Sequence, residues 1–555
     1  MPRPMTSRDS PRIAVPLDSR RAAVWSALAV ALVSGLFSAF RVGRPIPWRD
    51  EAATLMTAGR PPAEIFTVVR HVDAVHAVYY LLMHYWQLVF GATVTADRYV
   101  SVVSVGVTAG LLVLLGREVR DLPTGVMAGL AFTVIPRVMW TSTEARSYAL
   151  MTALVVATLL VFLAAARRDT WGWWVGYTLL VVLTAYVFLF AVLCFVVLPF
   201  VVAALPMTRR ARLRWAGGTV VAGAAAIPLV LVGRAQSSQV SWIQAPDLKA
   251  PFTYQFFAAN WMPLSLITNA LAWVLLLGGL ATLAVETRRA GRVRPPSGDG
   301  TMATGGTGSG GGWDRDALGQ AVLVTGWLVL PTLLLVLGSY VTAPMYVARY
   351  LAMSDPAVAL LIATAISAAA GLVAHGTTRV RSRGTRPATA DATGHPAADP
   401  TFRLRSRRGA ALAVAVVLLL AWGGATSRAW RSYHWVGAKS ASWADFGHYI
   451  AEHKQPGDGL AVDDPMTLGL VHTQPTAMAG LRQINTIREY RETDQLWDTI
   501  VPVSAATTEL AGTDRVWYVG FRIPDEDRAA LEAAGFHEVL HRTASDGILV
   551  LFQRS

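Results

Sequence analysis

Apolar residues in this chain come in long blocks separated by short polar clusters. Runs of roughly 20 apolar residues recur from Ala22 to Ala425, each long enough to cross the hydrocarbon core of a bilayer. They predict about 11 membrane helices, at 22–40, 99–116, 124–140, 147–166, 173–187, 188–205, 216–233, 264–285, 319–339, 356–374 and 409–426. Residues 74–91, AVHAVYYLLMHYWQLVFG, are apolar enough to join the set. A crossing there would invert every basic loop downstream, so they are read as a juxtamembrane helix lying along the surface or dipping into it. Asp73, His76, Tyr80, His84 and Gln87 recur every three or four residues and form one polar stripe on that helix. The stripe suits either an interfacial helix with its polar face to water or the lining of a polar cavity.

Beyond about residue 440 the pattern changes. SWADFGHYIAEHK puts Trp443, Phe446, Ile450 and His453 on one helical stripe, closed by PGDG. DRVWYVG and GILVLFQR read as strands, and PDEDRAALEAAGF as a helix ended by Gly535. The fold class is therefore an α-helical polytopic membrane protein with a small C-terminal α/β domain, for which parallel βα units are expected. Two segments, 291–317 with GGTGSGGG and 376–408, lack apolar periodicity and read as disordered loops.

Composition agrees: 555 residues, 53% hydrophobic and 15% charged. The net charge of +13 is mostly a topology signal, because the basic clusters at Arg20–Arg21, Arg117/Arg120, Arg167–Arg168, 209–214, 288–294 and 379–408 fall on alternate loops. Nucleic acid need not be invoked. The clusters assign the N-terminal tail 1–21 to the cytoplasm and put 41–98, 141–147, 234–263, 340–355 and the domain 440–555 outside the plasma membrane. Ser19-Arg20-Arg21 resembles a twin-arginine start, but the apolar run after it is long and lacks a cleavage pattern, so it is read as an uncleaved span. Cys194 stands alone inside a span, which leaves the outward domain without a disulfide or a cysteine metal site.

The outward segments hold the candidate chemistry. PIPWRDEAATL sets Arg49, Asp50 and Glu51 side by side where the first span ends. Adjacent carboxylates repel one another and need a partner. TSTEARSYAL supplies Glu144 and Arg146, APMYVARYLAMSDP supplies Tyr346 and Arg349, and GRAQSSQVSWIQAPDLK supplies Gln239, Trp242 and Lys249. Close spacing would let Arg146 pair with Glu144 and Arg349 with Asp355, a purely structural use. As a set, the residues suggest an outward cavity with acids on one wall and a basic wall suited to phosphate on the other, lined by Asp73, His76, Tyr80, Glu144 and Tyr346.

In this order the acidic pair, DAVHAVYYLLMHYW, EARSYAL and PMYVARYLAMSDPA resemble the GT-C glycosyltransferases of the protein O-mannosyltransferase and lipid A aminoarabinose transferase type, over residues 22–360. SWADFGHYIAEHKQPGDGL resembles the start of the extracytoplasmic domain of actinobacterial members. The resemblance implies a membrane glycosyltransferase domain over 22–426. It would transfer a sugar, mannose or another simple one, from a polyprenyl-phosphate carrier to a hydroxyl of an envelope glycan, glycolipid or secreted protein. It makes Asp50 the catalytic base with Glu51 beside it, and Arg146, Arg349 and Lys249 the donor-phosphate ligands. Inversion is expected from one base and direct displacement. A divalent cation, Mg or Mn, is the one cofactor left open, and Asp50 and Glu51 would hold it. The sequence departs from the pattern at YVFLF, where Phe188 stands in place of a histidine; His76 is the histidine available to compensate. Two other readings are a transporter or flippase of lipid-linked sugars, weakened by the absence of an internal repeat, and a wall-binding outer domain on a membrane anchor, for which one span would suffice.

Overall fold

The computed structural model describes residues 17–249, 256–258, 264–290, 312–383, 400–439, 441–544 and 547–555. Eight helices among the described residues are long and apolar enough to cross a membrane: Arg20–Ala39, Val94–Val119, Tyr148–Arg168, Arg209–Ala235, Leu266–Arg289, Asp316–Val341, Ala348–Val373 and Gly409–Tyr433. Leu122–Thr133 and Pro136–Ser142 meet the same test together but are bent by 64°. Pro136 explains the break, since it offers no N–H to the preceding turn and disfavours a helical residue before it. Trp171–Val187 and Leu189–Ala204 are shorter apolar helices. Every window named from sequence falls on one of these elements, and the chain is a multi-pass helical membrane protein.

Two loop boundaries change. Residues 312–317 belong to the helix Gly312–Val341, while 376–383 and 400–408 extend the helices Asp355–Arg383 and Pro400–Tyr433. The remaining 291–311 and 384–399 lie outside the described residues.

Between the first two long helices the chain builds a cap from the helices Arg49–Ala58, Pro62–His71 and Ala77–Phe90 and a 3-10 turn, Ala74–His76. The last helix spans 14 residues, about 21 Å at 1.5 Å per residue, which is too short to cross. Its polar stripe does not face water. Tyr80 donates to Asp73, His84 Nδ1 contacts the Ala58 carbonyl and Gln87 donates to Asp97, while Leu82, Tyr85, Leu88, Val89 and Phe90 point outward. The apolar side is thus the exposed one, as suits a helix embedded at a lipid surface with its polar side turned into the protein. Asp73, where the chain turns into this unit, adopts a left-handed φ of 58°. It is held there by its backbone N–H on Gln239 and its carboxylate on the Tyr80 hydroxyl.

The C-terminal sheet has strands β1 (Gly459–Val462), β2 (Arg482–Gln483), β3 (Thr486–Arg488), β4 (Thr499–Ile500), β5 (Arg515–Gly520), β6 (Phe536–Ala544) and β7 (Gly547–Arg554). Its order is β2-β1-β5-β7-β6, with β3 and β4 forming a separate antiparallel pair. Only the β2-β1-β5 edge is parallel; β5-β7 and β7-β6 are antiparallel. The expected parallel pairing thus holds over β2-β1-β5, while the two-residue connection between β6 and β7 closes an antiparallel hairpin. Alternation fills both faces. Leu460, Val462, Trp517, Val519 and Leu549 pack under the helix Ala441–His453 through Trp443, Phe446 and Ile450. Ala461, Val516, Tyr518, Val550 and Phe552 pack with Leu531 on the other side. His453, placed on the buried stripe from sequence, is exposed at the helix end and stacks on Tyr449.

Candidate active site

Asp50 and Glu51 occupy the first turn of the helix Arg49–Ala58, where unpaired backbone N–H groups favour negative charge. One residue of helix turns them in different directions, and they enter separate clusters.

Glu51 is fully buried. Arg98 grips both its oxygens, at 2.7 and 2.8 Å, Lys439 Nζ donates to Oε2 at 3.0 Å and the Ala145 N–H donates to Oε1 at 2.9 Å. Arg98 also donates to the carbonyls of Val42 and Pro45, which fixes the entry to the helix. Burial alone would raise the Glu51 pKa, but Arg98 and Lys439 reverse that and hold it at about 2. Lys439 Nζ also donates to the Thr143 carbonyl and lies 3.7 Å from buried Glu144, whose own pKa burial pushes upward against the pull of Lys439. Four charged side chains, Glu51, Arg98, Lys439 and Glu144, thus join the cap, two membrane segments and the start of the C-terminal domain.

Asp50 turns the other way, and its side chain keeps 25% exposure. Its Oδ2 accepts from Arg349 at 3.1 Å. Arg349 is buried, donates from Nε to the Tyr148 hydroxyl at 3.1 Å and lies over the rings of Trp48 and Trp242, 4.9 and 5.6 Å from their centroids. Arg146 approaches from the opposite side, donating to the Asp50 carbonyl and the Thr54 hydroxyl, and to His76 Nε2 at 3.0 Å. Burial and then the nearby Arg146 drive the His76 pKa well down. Because a guanidinium can only donate, His76 Nε2 accepts and Nδ1 carries the proton. Tyr80, bonded to Asp73 at 2.7 Å, lies against the same guanidinium.

Of the residues singled out from sequence, Asp50, Arg349, Arg146, His76, Tyr80 and Asp73 form one connected group, and Glu51 and Glu144 form the second. Tyr346 is buried with its N–H on Ser339. Lys249 is exposed on the loop after Arg209–Ala235, its backbone N–H held by Asp247. The structural pairings expected from spacing do not occur: Arg349 meets Asp50 rather than Asp355, and Arg146 meets no carboxylate of Glu144. Asp355 is bound instead by Arg137 at 2.8 Å, an arginine that also holds the carbonyls of Phe256 and Ala258. Phe188 packs edge-on against Tyr148 and Tyr350, extending the aromatic wall behind Arg349.

Sequence reasoning missed Arg98, Lys439, Tyr148, Trp48 and Arg60. Arg60, at the far end of the acidic helix, is buried and donates to the carbonyls of Tyr490, Thr493 and Gln495. At the near end, Arg49 lies over the Phe521 ring, 4.2 Å from its centroid. The C-terminal domain therefore grips the acidic helix at both ends. One signal was legible: only Lys249, Lys439 and Lys454 are lysines among 49 basic residues. A compact ammonium suits a site between two carboxylates better than a planar guanidinium.

Asp50 and Glu51 do not fit a shared divalent ion. Glu51 has both oxygens engaged, and an ion bridging the two acids would have to displace Arg98 or Lys439. Among the described residues no three His, Cys, Asp or Glu side chains converge.

No family model matches the chain, and no curated protein does. Solved structures do. The crystal structure of ArnT from Cupriavidus metallidurans bound to undecaprenyl phosphate aligns at 18% identity and TM-score 0.54, covering 96% of this chain and 98% of that one. The same protein in the apo state aligns at 16% identity and TM-score 0.53, with the same coverage. The membrane helices and the C-terminal domain together share that fold.

Proposed function

We propose that this protein is a glycosyltransferase that moves a sugar from a polyprenyl-phosphate carrier to an acceptor hydroxyl at the outer face of the plasma membrane. The observation that carries the reading is Asp50, a partly exposed carboxylate at a helix N-terminus, bonded to buried Arg349 and backed by Arg146. The shared fold with a protein crystallised with undecaprenyl phosphate supports the choice of carrier.

In this mechanism Asp50 accepts the proton of the acceptor hydroxyl as its oxygen attacks the anomeric carbon. The bond from that carbon to the phosphate oxygen breaks, and the lipid phosphate departs with one more negative charge. Arg349 and Arg146 are the residues within reach to neutralise it. The rings of Trp48, Trp242 and Tyr350 surround the Arg349 guanidinium and keep its charge beside Asp50. One displacement at the anomeric carbon inverts its configuration. Glu51 serves as a positioning residue in this scheme, and no step runs through a metal.

The test is transfer by purified protein in lipid, offered a panel of polyprenyl-phosphate sugars and an envelope acceptor fraction. Asp50→Asn is expected to lower transfer by about 100-fold or more while leaving insertion intact. Wild-type rates in that variant would overturn the assignment. Movement of lipid across vesicles without any acceptor would favour a flippase instead.

A further inference from the structure

The helix Tyr148–Arg168 begins at the Arg349 contact and ends in Arg167 and Arg168, about 30 Å away at 1.5 Å per residue. At that far end lies a groove unconnected with the acidic helix. Its walls are two facing helical stripes. Trp171, Trp174, Val175, Thr178 and Leu179 come from Trp171–Val187, and Arg210, Leu213, Arg214, Gly217, Gly218 and Val221 come from Arg209–Ala235. The spacing of three and four residues on each helix makes each set one continuous face. The groove encloses about 710 Å³ and is almost wholly apolar beyond its mouth.

The glycines create the space. At Gly218 a Cβ would meet the Thr178 hydroxyl at 2.4 Å, so the helices touch there, while at Gly217 a Cβ would meet nothing within 4 Å. The mouth is polar and positively charged. Asp169 accepts from Arg214 at 2.9 Å and from Trp174 Nε1 at 3.1 Å, so the one acid in the mouth is already paired. Arg214 also lies over the Trp171 ring, 5.1 Å from its centroid. Arg210, one turn earlier, is exposed and has no hydrogen bond or ion pair among the described residues. Trp171 is exposed, and tryptophan is the residue type favoured at lipid head-group level.

We propose that this groove binds one anionic phospholipid, its acyl chain along the Gly217 face and its phosphate on Arg210. The juxtaposition of an unpaired guanidinium, two tryptophans and an open apolar channel selects charge at one end and hydrocarbon at the other. A second groove, lined by Leu189–Ala204, Leu266–Ala290 and Gly312–Val341, encloses about 870 Å³ but has one arginine, Arg288, and no tryptophan. It serves as the internal control.

The experiment is native mass spectrometry of the purified full-length protein in detergent, titrated with phosphatidylglycerol or with phosphatidylcholine of the same chains. The wild type is expected to retain one phosphatidylglycerol in preference to phosphatidylcholine. Arg210→Gln should lower phosphatidylglycerol retention about fivefold and leave phosphatidylcholine unchanged, the effect of one arginine at an anionic lipid surface. Gly217→Phe, which fills the channel without altering charge, should remove the retained lipid, and Arg288→Gln should change nothing. Equal retention of both lipids by the wild type would overturn the proposal, as would wild-type retention of phosphatidylglycerol by Arg210→Gln or Gly217→Phe. Retention of polyprenyl phosphate in place of phosphatidylglycerol would overturn the choice of occupant.

Discussion

Asp50 and Glu51 are neighbours in sequence with opposite surroundings. Around Glu51 every acceptor direction is filled by Arg98, Lys439 or a backbone N–H, and no water reaches it. Around Asp50 one oxygen is held by Arg349 and the side chain remains partly open. The closed cluster ties distant parts of the chain together, and the open one keeps capacity for a ligand. A run of acids near a membrane can therefore hold one residue for architecture and leave its neighbour open to a ligand.

The largest effect that could break this contrast is on stability. Lys439→Met leaves Glu51 and Glu144 buried with one fewer cation, and removing one partner of a buried pair costs about 3–5 kcal/mol. A large drop in melting temperature in detergent is expected, against little change for Asp50→Asn; similar melting of both variants would erase the distinction. A smaller effect tests the open cluster. Arg349→Lys keeps the charge but loses the fork that joins Tyr148 and Asp50 and the flat contact with Trp48, and it should cut transfer about tenfold with little change in melting. The smallest is a pH dependence. Glu51 has its pKa lowered from 4.5 to about 2, so its stabilising contribution is complete above 4.5 and is lost as the pH falls towards 2. Melting temperature followed across that window should fall in the wild type and fall less steeply in Glu51→Gln.

The membrane helices were legible because an apolar block of bilayer length has few other uses, and Asp50 because a charged residue at the end of such a block stands out. The polar stripe at 74–91 was legible as a stripe but not in its direction, since lipid and water reverse which face of a helix turns inward. The closed cluster was not legible, because its partners lie far apart in sequence. Arg98 is 47 residues from Glu51 and Lys439 is 388 away. Proximity in sequence misled as well: Arg146 is only two residues from Glu144, and positions two apart on a turn face different ways. The mixed sheet hid for a related reason, in that strand order depends on pairings between segments and not on any segment alone.

Lys439 also gives the cluster a position in time. A ribosome that has placed Glu51 must add 388 more residues before the ammonium that meets it exists. Until then Glu51 has Arg98 alone, and Glu144 lacks the ammonium it pairs with. The cluster therefore closes only after the helix Gly409–Tyr433 has been synthesised, which makes it one of the late joins between the two ends of the membrane region.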